Sequence, residues 1–287
     1  MKLAILSDIH GNLSALHAVA EHLEHWKPDQ VIVNGDIINR GPCSLATWEF
    51  CQQKVDQDGW ILLKGNHEDY LLERLSGNDI RQGVEFDLNY LSYWTYLQMG
   101  TAVSQLSYLA DEHTIIPHPN RDLRIRHGSM LSNRDWLGPY TPEEQIKTKI
   151  APLPHIYACA HTHIPFLRTI DHCRLINSGG VGASSDGDPR ASYVQLFWYH
   201  GEWHISFIRL DYDREKTKRQ FYTSGFLTNS GFISWLIYYE WQFAVDLVFP
   251  WQFQYQADVL QGKISLETAV TQYLHKIGLS VPKPHLT

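Results

Sequence analysis

The feature that most constrains the fold is the alternation of short apolar runs with segments of helical periodicity. Strand-length runs occupy residues 3–7, 31–33 and 60–63, and polar residues followed by a helical pattern come after each. After the first run, for example, leucine and alanine recur at three- and four-residue spacing through residues 13–23. Because parallel strands joined by helices need those helices on the faces of the sheet, the alternation predicts an α/β protein.

Later runs extend this predicted sheet region. Residues 123–126 and 155–160 are further strand candidates, and 192–199 with 203–210 have the pattern of a β-hairpin. Leucines at helical spacing predict that residues 69–113 are mostly helical.

The composition changes after residue 212. Residues 232–255 contain ten aromatic side chains, and another helical pattern follows them. We therefore predict a domain of residues 1–212, with 69–113 as a helical cap-like insertion, and a mainly helical, aromatic-rich C-terminal extension of residues 213–287. The aromatic stretch suits a hydrophobic core, a roof over an active site or a dimer interface, and the sequence does not choose among them.

Charge and cysteine content argue against several classes of protein. Lysine and arginine number 24 against 31 aspartates and glutamates, a formal net charge of −7, whereas a dedicated nucleic-acid-binding protein needs a basic surface. Four cysteines without Cys-x-x-Cys spacing favour a reducing cytoplasm over a disulfide framework. The best membrane candidate, residues 232–251, contains two acids and a proline, so we expect no membrane span.

Side chains that can carry chemistry lie at the carboxyl ends of the predicted strands. Loops at that edge of an α/β sheet converge, and ligands bind there. Seven of these eight side chains are of types that commonly ligate metals, and they offer oxygen or nitrogen and no thiolate, a donor set that suits Mn²⁺, Fe or Zn²⁺ in a catalytic site. The eight are Asp8, His10, Asp36, Asn66, His67, His127, His161 and His163.

Five motifs, in a fixed order along the chain, carry a resemblance to a known family. They are Asp8-x-His10, Gly35-Asp36-x-x-x-Arg40-Gly41, Gly65-Asn66-His67-Glu68, His127-Gly128 and His161-Thr162-His163. Over about residues 1–210 the chain resembles the calcineurin-like metallophosphoesterases, and among them the YfcE-type bacterial and archaeal phosphoesterases. It departs from them at Ala160, where the family usually has glycine, and at Ser178, where related sequences often have proline; these departures concern local packing.

The resemblance implies a fold, a metal centre and a reaction. The fold is a four-layer αββα sandwich of two mixed β-sheets flanked by helices, with two divalent metal ions bridged by Asp36. The other implied ligands are Asp8, His10 and His163 for the first ion and Asn66, His127 and His161 for the second. Mn²⁺ is the expected ion, with Fe, Zn²⁺ or Ni²⁺ as alternatives. Such enzymes hydrolyse phosphomono- or phosphodiesters by in-line attack of a hydroxide that bridges the metals.

Other residues near the motifs have expected roles in catalysis. His67 is the candidate for protonating or neutralising the leaving oxygen, since imidazole can titrate near neutral pH, and Glu68 or Asp69 would orient it. Arg40 can clamp phosphate oxygens with its guanidinium fork, and a surface ion pair is the alternative role for it. Asn12 either contacts phosphate or caps the helix that follows it.

Three alternatives to a general phosphoesterase remain open. The Arg40-Gly41-Pro42 and Gly65-Asn66-His67-Glu68 segments also occur in serine/threonine protein phosphatases and in diadenosine tetraphosphatases. A non-catalytic scaffold of the same fold would have lost ligands, and here all seven are present. We therefore expect a cytoplasmic enzyme that acts on a small phosphorylated substrate, without a dedicated nucleic-acid partner. Self-association through the aromatic C-terminal region is a further option.

Overall fold

The computed structural model describes residues 1–76 and 81–282, and within them ten strands form two five-stranded sheets. The strands are β1 (Lys2–Leu6), β2 (Gln30–Asn34), β3 (Ile61–Leu63), β4 (Glu112–Ile115), β5 (Leu123–Arg126), β6 (Ile156–Cys159), β7 (Phe166–Ile170), β8 (Cys173–Asn177), β9 (Ala191–Tyr199) and β10 (Glu202–Leu210).

Helices cover the sheets and make up most of the C-terminal region. Those that precede or connect the strands are α1 (Leu13–Trp26), α2 (Ser44–Asp58), α3 (Asn66–Leu72), α4 (Val84–Leu88), α5 (Tyr90–Met99) and α6 (Glu143–Ile150). Those that follow β10 are α7 (Arg214–Thr223), α8 (Phe226–Asn229), α9 (Ile233–Phe243), α10 (Val248–Trp251), α11 (Ala257–Leu260) and α12 (Leu266–Lys276).

Both sheets are mixed. The first has the order β10-β9-β1-β2-β3, in which β1, β2 and β3 are parallel, β9 is antiparallel to β1, and β10 is antiparallel to β9. The second has the order β4-β5-β6-β8-β7, in which β5, β6 and β8 are parallel and the two edge strands are antiparallel to their neighbours.

The two sheets pack face to face, and helices cover their outer faces. Along β1, Leu3 and Ile5 lie in the core between the sheets, whereas Ala4 and Leu6 pack into the core that contains α1 and α2. On the other side, Ile146 of α6 packs against the outer face of the second sheet. The result is a four-layer αββα sandwich, so the predicted fold class is confirmed.

The sequence predicted the strands that end in polar motifs better than the others. β1, β2, β3, β5, β6 and the β9–β10 hairpin begin and end within one residue of the predicted runs. The apolar pattern does not predict β4, β7 or β8. β4 begins at Glu112, inside the segment expected to be helical, and Arg168 and Arg174 interrupt the apolar runs of β7 and β8.

The C-terminal helices share one hydrophobic core with α5. This core contains Trp235, Trp241 and Trp251 from the aromatic stretch together with Leu91 and Trp94 from α5. The sequence left three interpretations open for the aromatic stretch. These tryptophans form a hydrophobic core, which is the first of them. The predicted boundary near residue 212 lies between β10 and α7, and the division into two domains stays a prediction.

Two further expectations concern cysteines and membranes. All four cysteines are free thiols. No helix in the described part of the chain combines the length and the apolar character that crossing a membrane requires.

Candidate active site

Five strands deliver the predicted site residues to one place. These are Asp8 and His10 after β1, Asp36 after β2, Asn66 and His67 after β3, His127 after β5, and His161 and His163 after β6. The carboxyl ends of neighbouring parallel strands meet at one edge of a sheet. Because the two sheets face each other, these two edges lie together, and the structure brings all eight side chains into one largely buried cluster.

Several residues of this cluster have left-handed backbone conformations, which residues other than glycine adopt only rarely. The φ angle is 52° at Asp8, 48° at His10, 53° at Asp36, 69° at His161 and 58° at His163. Each such residue costs about 1–3 kcal/mol, and strain of this kind concentrates where function requires a particular geometry. The concentration of such residues at one sheet edge supports a functional site there.

Asp36 lies at the centre of the cluster. Its Oδ1 accepts a hydrogen bond from the backbone N–H of His67 at 2.9 Å, which leaves Oδ2 to face the imidazoles. That oxygen lies 3.2 Å from Nε2 of His127 and 3.7 Å from Nε2 of His10. One carboxylate oxygen therefore borders two groups of donor atoms.

The first group consists of Asp8, His10, Asp36 and His163, whose ligand atoms lie within 4.8 Å of one another. Nε2 of His163 is 3.1 Å from Nε2 of His10 and 3.3 Å from Oδ1 of Asp8. The Ser7 hydroxyl donates a hydrogen bond to the other carboxylate oxygen of Asp8 at 2.7 Å. This contact turns Oδ1 toward the imidazoles.

The second group consists of Asp36, His127 and His161, joined by the side-chain oxygen of Asn66. Asn66 Oδ1 lies 3.1 Å from Nε2 of His127 and 2.9 Å from Nδ1 of His161. Nδ1 of His127 lies 2.7 Å from the carbonyl oxygen of Asn34, which can only accept, so Nδ1 carries the ring proton. In the neutral ring, Nε2 then directs a lone pair toward two oxygen acceptors.

These contacts fit bound cations. Asp8 Oδ1 and Asp36 Oδ2 are buried and accept no hydrogen bond from the residues that the structure describes, and a buried charge without a partner is unfavourable. Although burial opposes it, the Asp36 carboxylate raises the pKa of His127 to about 10, so without metal this ring holds an additional proton and its surroundings favour positive charge. Oxygen and nitrogen donors without thiolate are the ligands of divalent metal ions in catalytic sites. The two groups are therefore compatible with divalent metals that share Asp36.

A glycine-containing loop and a helix cap support the first group. The N–H of Gly182 donates to the carbonyl oxygen of Asp8 at 3.0 Å, and a Cβ on residue 182 would lie 1.8 Å from the carbonyl oxygen of Ile9. Asn12 donates to the Gly182 carbonyl at 3.1 Å and accepts from the N–H of Ala15 at 3.2 Å. Of the two roles considered for Asn12, these contacts support the helix cap.

Glu68 holds the loop of Asp36 rather than the ring of His67. Its buried carboxylate accepts hydrogen bonds from the backbone N–H groups of Asp36 and Ile37 at 2.9 and 2.8 Å and from two further backbone N–H groups. Asp69 pairs with a lysine and an asparagine instead. The interpretation that Glu68 or Asp69 orients His67 is therefore wrong.

Replacing Glu68 with glutamine is expected to lower the free energy of unfolding by about 2–4 kcal/mol, because the amide nitrogen faces backbone donors that then lose their acceptor. Urea denaturation of the metal-free protein measures this difference. Glu49→Gln on the exposed side of α2 is the matched control and should change stability by less than about 0.5 kcal/mol. Equal stabilities of the two variants would contradict the loop-holding role of Glu68.

Asn39 orients His67. Asn39 Oδ1 accepts a hydrogen bond from the backbone N–H of Arg40 at 2.9 Å, so its amide nitrogen faces the other way, where it donates to Nδ1 of His67 at 2.9 Å and to the Ser92 hydroxyl. The ring proton of His67 is therefore on Nε2, which lies 4.0 Å from Asp36 Oδ2. Burial lowers the pKa of His67 to about 3, so the ring is neutral at pH 7. Sequence reasoning missed Asn39, although it directly precedes the arginine of the second motif.

A cavity of about 580 Å³ opens from the cluster toward the C-terminal helices. Asp36, His67 and Arg40 line it on one side, and Glu240 of α9 and Phe249 of α10 line it on the other. The guanidinium of Arg40 forms an ion pair with Glu240 across this space. The aromatic stretch therefore also forms a wall of the site. Sequence reasoning missed Glu240, because contacts between residues 200 positions apart leave no local pattern.

Comparison with known proteins relates this site to a family. Residues 1–198 match the model of the calcineurin-like phosphoesterase superfamily domain. A symmetrical bis(5'-nucleosyl)-tetraphosphatase of Psychromonas ingrahamii is 36% identical over 84 residues. The aligned segment covers 29% of this chain and only 28% of the length of that protein. An uncharacterised protein of Methanocaldococcus jannaschii is 22% identical over 229 residues, which cover 75% of this chain and 89% of that protein.

A solved structure extends the comparison to three dimensions. The metallophosphoesterase from Sphaerobacter thermophilus is similar with a TM-score of 0.62 and 25% sequence identity. The alignment covers 78% of this chain and 95% of that one.

Proposed function

Because this chain belongs to the calcineurin-like phosphoesterase superfamily, as its five motifs suggested, we propose that it is a phosphoesterase that uses two divalent metal ions. The finer placement in the YfcE-type branch rests on the motifs alone. The observation that carries the proposal is that Oδ2 of Asp36 borders both groups of donor atoms. Divalent ions bound in these groups would activate a water molecule as the nucleophile and stabilise the charge that develops on phosphate.

The assignment of ligands follows the two groups. We assign Asp8, His10, Asp36 and His163 to one ion and Asp36, Asn66, His127 and His161 to the other. Mn²⁺ is the ion we propose, and Fe, Zn²⁺ and Ni²⁺ suit the same donors.

Two further side chains act on the substrate in this proposal. Arg40 donates hydrogen bonds from its guanidinium to phosphoryl oxygens. Burial keeps His67 neutral and the Asn39 amide fixes its proton on Nε2, from which it donates a hydrogen bond to the leaving oxygen and neutralises part of the developing charge. Both line the cavity that begins at Asp36.

The cavity favours substrates with a single phosphoryl group. Besides the proposed ligands, the charged side chains lining it among the described residues are Arg40, Glu85, Glu240 and Asp246. Arg40 and Glu240 pair with each other, so apart from the proposed metals these lining side chains add no further cation for a polyphosphate chain, whose charge requires complementary cations. We therefore propose a small phosphoester whose organic part is uncharged or cationic.

The same features bear on the alternatives. The tetraphosphatase similarity covers a short segment, and the acids of the cavity disfavour its substrate. A protein substrate would have to reach past the wall that α9 and α10 form. A non-catalytic scaffold does not require a complete cluster of metal-binding side chains on strained, left-handed backbone. Cytoplasmic location and self-association stay predictions.

Hydrolysis assays test the proposal. Full-length protein reconstituted with Mn²⁺ is expected to hydrolyse p-nitrophenyl phosphate or bis-p-nitrophenyl phosphate, and to act on diadenosine tetraphosphate with a kcat/KM at least about tenfold lower. The ratio of the two nitrophenyl activities distinguishes a monoesterase from a diesterase. A preference for the tetraphosphate would support the tetraphosphatase instead. Absence of both bound metal and turnover with Mn²⁺, Fe²⁺, Zn²⁺ and Ni²⁺ would support the scaffold.

A further inference from the structure

A buried acid of the C-terminal helices is joined to the arginine proposed to bind phosphate. Glu240 lies on α9, and its side chain is 9% exposed. Its Oε2 accepts a hydrogen bond from Nη2 of Arg40. Its Oε1 accepts from the backbone N–H groups of Leu247 and Val248 at 2.8 and 2.7 Å. Both carboxylate oxygens are therefore engaged, and the acid is fixed relative to α9 and α10.

Arg40 retains hydrogen-bonding capacity beyond this contact. A guanidinium has five N–H donors, and Glu240 accepts from Nη2. The Nε of Arg40 is buried and has no hydrogen-bond partner among the described residues. The side chain is 22% exposed, and it lines the same cavity as Asp36 and His67. Donors thus remain for phosphoryl oxygens while the ion pair is intact.

The ion pair has a physical consequence for binding. A free arginine side chain loses rotamer freedom when it is fixed on a ligand, and that loss weakens binding. A side chain that is already held in place loses less. Buried ion pairs contribute little net stability compared with apolar residues of the same volume, so stability alone does not explain a buried glutamate at this position.

We propose that Glu240 is a positioning residue that holds the Arg40 guanidinium at the cavity so that its remaining N–H groups meet the phosphoryl oxygens of the substrate. This inference rests on the proposed phosphoesterase function. It gives the C-terminal extension a part in binding the phosphate, in addition to forming a wall of the cavity.

Kinetics of Glu240 variants in the full-length, Mn²⁺-reconstituted protein test the inference. Glu240→Gln is expected to lower kcat/KM for a nitrophenyl ester by about 10- to 100-fold, mainly through KM, because the arginine is no longer held. Inhibition by inorganic phosphate should weaken by a similar factor, while the bound metal per chain stays unchanged. Glu240→Asp keeps the charge and shortens the side chain by one methylene. This variant should therefore fold and show an intermediate loss of kcat/KM.

A double-mutant cycle separates positioning from general loosening. If Glu240 acts through Arg40, then Glu240→Gln should change kcat/KM by less than about twofold in an Arg40→Ala background. Asp213→Ala is the control for a weakened C-terminal region, because Asp213 caps α7 by accepting the N–H of Lys216. That control should keep kcat/KM within about twofold of the wild type.

Three results would overturn the positioning role. The first is a wild-type kcat/KM in both Glu240 variants. The second is an effect of Glu240→Gln on kcat/KM that is undiminished in the Arg40→Ala background. The third is a rise in kcat in the Glu240 variants, which would show that Glu240 withholds the arginine from the substrate. A failure of the proposed function is distinguishable, since the wild-type protein itself would then neither turn over the esters nor bind inorganic phosphate.

Discussion

Replacing Asp36 with asparagine is expected to reduce phosphoesterase activity at least about 1000-fold, equivalent to about 4 kcal/mol of activation free energy. Asparagine preserves the acceptor for the backbone N–H of His67 but places an amide nitrogen where Oδ2 now borders both groups of donor atoms. An amide nitrogen does not ligate a divalent ion, so both proposed metal sites lose a ligand at once. Elemental analysis should find fewer than two metal ions per chain.

The stability of the metal-free variant provides an independent readout. Although burial opposes ionisation, the imidazoles of His127 and His67 hold the pKa of Asp36 well below its usual value. The charge therefore contributes to the stability of the metal-free fold, and removing it is expected to lower the thermal stability of the protein stripped of metal modestly, with a cooperative unfolding transition retained. A loss of activity accompanied by a large loss of metal-free stability would instead indicate a misfolded variant. Retention of two metals per chain would contradict the bridging role of Asp36.

The fold and the site were predictable from the sequence to the extent that they depend on local patterns. A buried parallel strand is a short apolar run. A polar residue within two positions of its carboxyl end, such as Asp36 after β2 or His127 after β5, lies at the sheet edge irrespective of how the rest of the chain packs. That is why the positions of the proposed ligands could be inferred before the packing of the two sheets was known.

What the sequence did not reveal depends on contacts between distant segments. Asn39 donates to His67, 28 positions further along the chain, only because the loop after β2 packs against the start of α3. Glu240 reaches Arg40 only because α9 packs over the cavity. A glutamate inside an aromatic stretch has the same local pattern whether it meets solvent or an arginine, so no periodicity could indicate this pair.

Replacing His67 with alanine is expected to lower kcat by about 10²- to 10⁴-fold, the range usual for a group that assists proton or charge transfer at a leaving atom. Nε2 of His67 carries the ring proton and lies 4.0 Å from Asp36 Oδ2, so the variant removes a hydrogen-bond donor from the reacting region without removing a proposed ligand. The bound metal should therefore remain at two ions per chain.

The dependence of the activity loss on the leaving group distinguishes between two roles of His67. If its Nε2–H stabilises the leaving oxygen, the loss in His67→Ala should be smallest for esters of acidic phenols, which leave readily without help, and largest for alkyl esters. His67→Gln retains an N–H donor and is expected to recover part of the activity on alkyl esters. Equal losses for good and poor leaving groups would show that His67 binds the phosphoryl group instead. Loss of metal in His67→Ala would show that the imidazole belongs to the metal centre, because the ring lies beside His10, with centroids 4.8 Å apart.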